Sequence, residues 1–234
     1  LVVSEMCIRD RGQAVAKPVL RGYTGDRFLL TENGITTGDL SNTAIDHAIS
    51  FDMTSFNNAR IVRGPETLLY GSNTIGGVID VSRQSNLDLR FKKVSFLSLV
   101  GAESSNNGAF ANLTIYVPIK GAMLDSNYEL KPTVKIQFKF SLLSRNADNQ
   151  TSPLVVLKNT GLSNDELAAS YSFFGSAHRT TISYEQLKMD YGLPGSPEGH
   201  IDGVNLKMDK HSQKLNHHRD ISFLNFHTDQ GAFA

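Results

Sequence analysis

The C-terminal stretch YGLPGSPEGHIDGVNLKMDKHSQKLNHHRD carries His200, His211, His217 and His218 among several acidic residues. Imidazole and carboxylate groups are ligands for a divalent ion such as zinc. A loop of this composition has the chemistry to capture metal at low affinity. Its spacing is irregular and matches no compact structural site, and an ordinary polar loop has the same composition. A second candidate is AIDHAISFD, with Asp46 beside His47 and Asp52 shortly after. The adjacent carboxylate and imidazole can supply two metal ligands; alternatively Asp46 caps a helical turn and His47 is a surface residue.

Phosphate chemistry is excluded more firmly. GSNTIGG (Gly71 to Gly77) has the glycine density of a phosphate loop, but Val78 and Ile79 stand where such a loop needs Lys and Ser or Thr. No Ser/His/Asp set or carboxylate pair forms a convincing constellation, so no catalytic residue is assigned and no enzyme is expected.

The elements that must position these groups are short in the first part of the chain. In RIVRGPETLLYGSNTIGGVIDV, Gly64, Pro65, Gly71, Gly76 and Gly77 interrupt an Ile-, Val- and Leu-rich run. The pattern predicts a strand at Arg60 to Val62, a helical turn around Glu66 to Tyr70 and a strand at Val78 to Val81. Pro65 suits the first turn of a helix and Gly71 the position just past its end. RFLLTENGI reads as strand, Asn-Gly turn, strand. DHAISFDMTSFNNARIV reads as a capped helical turn leading into a strand. Residues 13–89 are therefore expected to be α+β.

From about residue 90 the pattern changes to longer alternating strands. In PTVKIQFKFSLLS, Val134, Ile136, Phe138, Phe140 and Leu142 fall on one face and Lys135, Gln137, Lys139 and Ser141 on the other. Similar alternation occurs at 112–117, 169–173 and 182–186, and a final run begins near Ile221. About six strands are expected, separated by short turns, with Gly175 to His178 as one, or by polar segments such as 144–150 and 191–220. Two environments fit: a soluble sandwich whose apolar face meets a second sheet, and an outer-membrane barrel whose apolar face meets lipid.

Bulk properties narrow the classes. The 234 residues have a formal net charge of zero, so no nucleic-acid partner is indicated. The single Cys7 excludes an internal disulfide and a multi-cysteine zinc site. No apolar run is long enough for a transmembrane helix. LVVSEMCIRDRG is no secretory signal, begins without Met and differs in composition from the rest of the chain; residues 1–12 read as a non-native leader resembling translated sequencing adaptor.

The order of motifs separates the two environments. Leu20-Arg21-Gly22, Asp26-Arg27, the Asn33-Gly34 turn, Arg63-Gly64-Pro65, Tyr70-Gly71 and Ile75-Gly76-Gly77-Val78-Ile79, followed by alternating strands, resemble the plug domain of TonB-dependent outer-membrane receptors. The resemblance covers roughly residues 17–82. It implies an α+β plug at 13–89, followed at 90–234 by the first strands of an incomplete transmembrane β-barrel, the whole being a fragment. In such a protein the plug fills a lumen too wide for side chains alone. The sequence departs from the family's pattern in FNNARIVRGP, which lacks the usual acidic residues before the arginine, and in GGVIDV. Arg21, Gly22, Arg63, Gly64, Pro65, Gly71, Gly76 and Gly77 are then plug motif residues. Arg21 and Arg63 are candidates for ion pairs with carboxylates of the barrel wall, or they face solvent.

By the same resemblance the intact protein takes up a ligand across the outer membrane of a Gram-negative bacterium. Its partners are outer-membrane lipid, the small ligand and the TonB energy-transducing complex. It has no cofactor of its own. Zinc is the first expectation for the transported ligand, because zinc-importing members carry an Asp-His pair at the place of Asp46 and His47; an iron chelate or haem follows closely. The alternative is a soluble or surface β-sandwich binding protein without transport activity.

Overall fold

The computed structural model describes residues 6–10, 13–20, 22–23, 27–37, 47–56, 58–71, 74–82, 91–124, 130–175, 178–195 and 201–219. They form three sheets. The first is a pair, β1 (Met6–Asp10) with β2 (Ala16–Leu20), antiparallel. The segment set aside as a leader thus supplies one strand of this pair.

The second sheet has the order β4-β3-β6-β5, from β3 (Leu29–Glu32), β4 (Ile35–Thr36), β5 (Asn58–Val62) and β6 (Val78–Ser82). The hairpin between β3 and β4 turns on Asn33 and Gly34, with φ of 53° and 76°. Two positive φ values in succession match the right-handed twist of the flanking strands. The Asp80 carboxylate on β6 locks that turn, accepting from the Gly34 amide at 2.8 Å and the Thr31 hydroxyl at 2.7 Å. A 3₁₀ helix at Gly64–Tyr70 starts with Pro65 in its first turn and ends at Gly71. Phe28, Leu30, Phe51, Ile79 and Val81 form the sheet's core.

Gly76 is required by close approach. Its amide donates to the Arg27 carbonyl at 2.8 Å. A Cβ at this position would lie 2.9 Å from the Tyr23 Cβ and 3.0 Å from the Arg27 oxygen.

The third sheet is a six-stranded antiparallel meander in chain order. Its strands are β7 (Ser95–Glu103), β8 (Gly108–Leu124), β9 (Leu130–Ala147), β10 (Leu162–Phe174), β11 (His178–Leu193) and β12 (Val204–Arg219). This sheet is the wall against which the rest packs. Its burial is inverted relative to a water-soluble sheet. Phe140 and Leu142 on β9 are 50% and 55% exposed, whereas Gln137 and Ser141 are each 8% exposed. The polar face lies inward, towards the N-terminal half. The described residues place no second sheet over the apolar face, and Phe140, Leu142, Ile182 and Leu215 are exposed there.

Two sequence expectations need correction. Val134 does not share the face of Ile136: pairing slips between Ile119 and Lys120, so that Ile136 faces Ile119 while Val134 faces Lys120. Such a bulge inverts the side-chain phase, and Val134 is buried. The segment 191–220 is not a loop. β11 runs to Leu193 and β12 occupies Val204–Arg219. Val204, Leu206 and Met208 alternate with Asn205, Lys207 and Asp209, but from Lys210 onward both faces are largely polar and the period is hidden. Similarly, β9 continues to Ala147, where a polar segment was expected. The run near Ile221 lies outside the described residues.

Gly76→Ala is expected to lower stability by about 1–3 kcal/mol, since neither the Tyr23 Cβ nor the Arg27 backbone can yield cheaply. A urea-unfolding midpoint that did not move would contradict this packing.

Candidate functional site

A sheet with its polar face inward must have those polar groups satisfied by whatever fills its concave side. Here the filling comes from the segment 47–56 and from β3. Ala48 is buried, and its amide donates to the Tyr191 hydroxyl of β11 at 3.0 Å. Ala48 and Val15 share an apolar cluster with Leu187, Met189 and Tyr191 of β11 and with Ala147 and Leu162.

Asp52 is the centre of the polar contact. It precedes a single 3₁₀ turn at Met53–Ser55. Its Oδ1 accepts from the Thr54 amide at 2.8 Å and from the Thr54 hydroxyl at 2.6 Å. Its Oδ2 faces the wall, accepting from the Asn164 amide group at 2.9 Å, with Arg145 Nη1 at 3.5 Å. Arg145 also binds Glu103 Oε1 at 2.6 Å through Nη2. Asn106, in the turn after β7, donates to the other Glu103 oxygen at 2.7 Å and to Gln13 at 2.9 Å. Burial on its own would raise the Asp52 pKa. The Thr54 hydroxyl and amide, Asn164 and the Arg145 charge outweigh it and hold the carboxyl below its ordinary value of 3.8.

A second carboxylate makes the same kind of contact. Glu32, at the end of β3 and 2% exposed, meets Lys214 at 2.9 Å and Lys210 at 3.8 Å, both from β12. Lys210 also donates to the Ser50 carbonyl at 3.2 Å. Inward-facing positions on β9, β10 and β12 thus grip two acidic residues of the N-terminal half. The arrangement can hold that half in the wall through ionic contacts beside the apolar patch at Val15 and Ala48.

The sequence-predicted residues are placed as follows. Gly22, Gly64, Gly71 and Gly77 all have positive φ, Pro65 begins the 3₁₀ helix, and Gly76 makes its close approach. Arg63 is half-buried at the N-cap of that helix. Arg21, Asp46 and His200 lie outside the described residues. In the ion pairs described between the two halves, the carboxylates are in the N-terminal half and the cations in the wall. His47 is half-buried. His211 and His217 point outward from β12. His211 contacts Asp209 at 3.2 Å and the Tyr184 hydroxyl at 2.9 Å, and His217 contacts the Thr180 hydroxyl at 2.9 Å. His218 is exposed and, by its alternation with His217, belongs to the other face. Among the described residues no three His, Cys, Asp or Glu side chains come together as a metal site.

Sequence reasoning singled out Asp52 only as a neighbour of Asp46 and His47. Its Asp-Met-Thr context was the available signal, because Asp two residues before a Thr amide is a local capping pattern. Arg145, Glu103 and Asn164 were missed; inside alternating strands they look like ordinary solvent-facing positions.

Residues 2–78 match the family model described as the TonB-dependent Receptor Plug Domain. The chain is 40% identical over 86 residues to a protein named Hemin receptor of Yersinia enterocolitica, an alignment covering 35% of this chain and 11% of the relative. Its counterpart in Yersinia pestis is 42% identical over 76 residues, covering 30% and 10%. The chain therefore spans about a tenth of the length of the curated relatives it matches. Among solved structures, the copper transporter OprC aligns over 90% of this chain and 30% of its own, with a TM-score of 0.69 at 15% identity. FpvA of P. aeruginosa, in a pyoverdine–iron complex, aligns over 94% of this chain and 28% of its own, with a TM-score of 0.63 at 11% identity. At these identities the structural likeness is one of fold.

Because the folded-state pKa of Asp52 is depressed, its stabilising contribution is complete above the unfolded value of 3.8 and disappears as pH falls through the lower folded value. Asp52→Asn is expected to cost about 1–3 kcal/mol at neutral pH and to flatten this part of the acid dependence. Urea midpoints between neutral pH and about pH 3 test it; equal acid slopes for both proteins would rule the assignment out.

Proposed function

We propose that the chain is a TonB-dependent receptor plug domain followed by the first strands of an outer-membrane barrel, and that the intact protein imports haem or an iron chelate across the outer membrane of a Gram-negative cell. The observation that carries the transport reading is the inverted wall: an apolar face left open, with a polar face covered by a separately folded element. In lipid the open face is the favoured one, and the covered lumen is a path that opens only if the covering element shifts. The similarity to two hemin receptors favours haem as the ligand.

Zinc ranks behind haem in this proposal. The histidines of β12 do not converge with other ligands among the described residues, and the copper transporter's likeness is one of fold. Import of an intact ligand breaks no bond, so the protein acts as a receptor, without catalytic residues or a cofactor of its own. Its proposed partners are TonB, which supplies the energy for the shift, outer-membrane lipid and the ligand.

The test uses the intact gene in a haem-requiring Gram-negative strain lacking other haem receptors. Growth on hemin that depends on both this protein and TonB is the expected result. Rescue under zinc limitation but not on hemin would replace haem by zinc, and no rescue by any of these ligands would remove the transport reading. A second expectation concerns the wall. Phe140→Lys, on the open apolar face, should cost about 2–4 kcal/mol if the site lies near the bilayer midplane. Denaturant unfolding of the intact protein in lipid vesicles measures this, and an unchanged midpoint would mean that Phe140 does not face lipid.

A further inference from the structure

Arg145 stands between two carboxylates, and the way each is satisfied decides how the contact behaves when it is pulled apart. On one side, Asp52 is compensated by its own segment: Thr54 supplies both of its donors to Oδ1. Only Oδ2 looks to the wall. On the other side, the guanidinium is compensated within the wall, where its contact to Glu103 at 2.6 Å is much shorter than the 3.5 Å to Asp52. Glu103 is itself held by Asn106. Parting therefore strips neither charge of all its partners, which is the usual reason a broken buried ion pair is so costly.

The wall also carries the makings of a second arrangement. Arg145 Nε and Asn164 Oδ1 are both buried without a hydrogen-bond partner. They belong to residues directly opposite each other on β9 and β10. One is a donor and the other an acceptor. With Asp52 in place, Asn164 turns its amide nitrogen to the carboxylate, and its oxygen is left idle. With Asp52 gone, a small rotation about the side-chain torsions can bring the idle pair together.

We propose that Arg145, Glu103 and Asn164 form a releasable clamp on the plug segment 47–56, in which Glu103 is the positioning residue that sets the grip of Arg145 on Asp52. Glu103 shares the guanidinium and so weakens its hold on the plug. Asn164 holds the carboxylate in the closed state and takes up Arg145 in the open one. The inference rests on the transport reading only in that the plug must part from the wall.

The clamp makes a prediction opposite in sign to that for a merely structural pair. Removing the Glu103 charge leaves Arg145 free to bind Asp52 more tightly, so Glu103→Gln should slow parting. The probe is a cysteine at the buried position Ala48 (Ala48→Cys), in the intact receptor with every other cysteine changed to serine. Maleimide labelling of the detergent-solubilised protein then reads exposure of the plug–wall contact without any ligand. Glu103→Gln is expected to label about fivefold more slowly, Asp52→Asn faster, and the double variant at the Asp52→Asn rate, because the target of the tightened grip is gone. If Glu103→Gln labels as fast as the parent or faster, or if the double variant stays as slow as Glu103→Gln, the clamp is wrong. Failure of hemin uptake would bear on the proposed ligand and leave this measurement intact.

Discussion

The structure depends on one constraint: the six-stranded wall turns its polar face inward. Most folded sheets bury apolar side chains and leave polar ones to water. Here Gln137, Ser141, Asn164 and Glu166 are buried while Phe140 and Leu142 are open. Lipid can meet the apolar part of the open face around Phe140 and Leu142, while the covered side is polar apart from a patch centred on Leu187, Met189 and Tyr191. Whatever packs there must bring donors, acceptors and charges in the right places. The N-terminal half does so with Asp52, Glu32, Ser50 and the Ala48 amide, supported by a small apolar contact at Val15 and Ala48.

An interface built this way differs from a hydrophobic core in its mechanical character. Apolar burial is non-directional and tolerates sliding, whereas hydrogen bonds and ion pairs are lost steeply with angle and distance. The contact is therefore well defined in register yet limited in total strength. The release of the N-terminal half that the proposed transport needs is well served by that combination. Extensive apolar docking would resist displacement in proportion to its area.

Much of the small sheet was legible because its signals are local. Asn33-Gly34 specifies its turn by chirality, Pro65 and Gly71 bracket a helical turn, and the glycine pair before Val78 frees the chain to enter β6. The alternating face of Phe138, Phe140 and Leu142 was equally visible. What could not be read were features created by pairing. The bulge beside Val134 exists only because β8 and β9 slip against each other. β12 has an apolar stripe only at its start, where Leu206 and Met208 pack on the core; further on its inward lysines face a carboxylate of β3. Likewise, the importance of Asp52 comes from Asn164 and Arg145, 112 and 93 residues away.

The parallel pairing of β3 with β6 also governs the order of assembly. In the wall, each strand pairs with the next one along the chain, so it can zip up hairpin by hairpin through loops of modest length. In the small sheet β3–β4 and β5–β6 also pair as sequence neighbours, but the two pairs are joined only through the parallel contact of β3 with β6. Thr31 must find Asp80 across 49 residues, at a chain-closure cost of about 3 kcal/mol before any contact repays it. Topology of that kind is slow to nucleate. By chain separation alone, the hairpins of the wall close over shorter loops than the parallel pairing of β3 with β6.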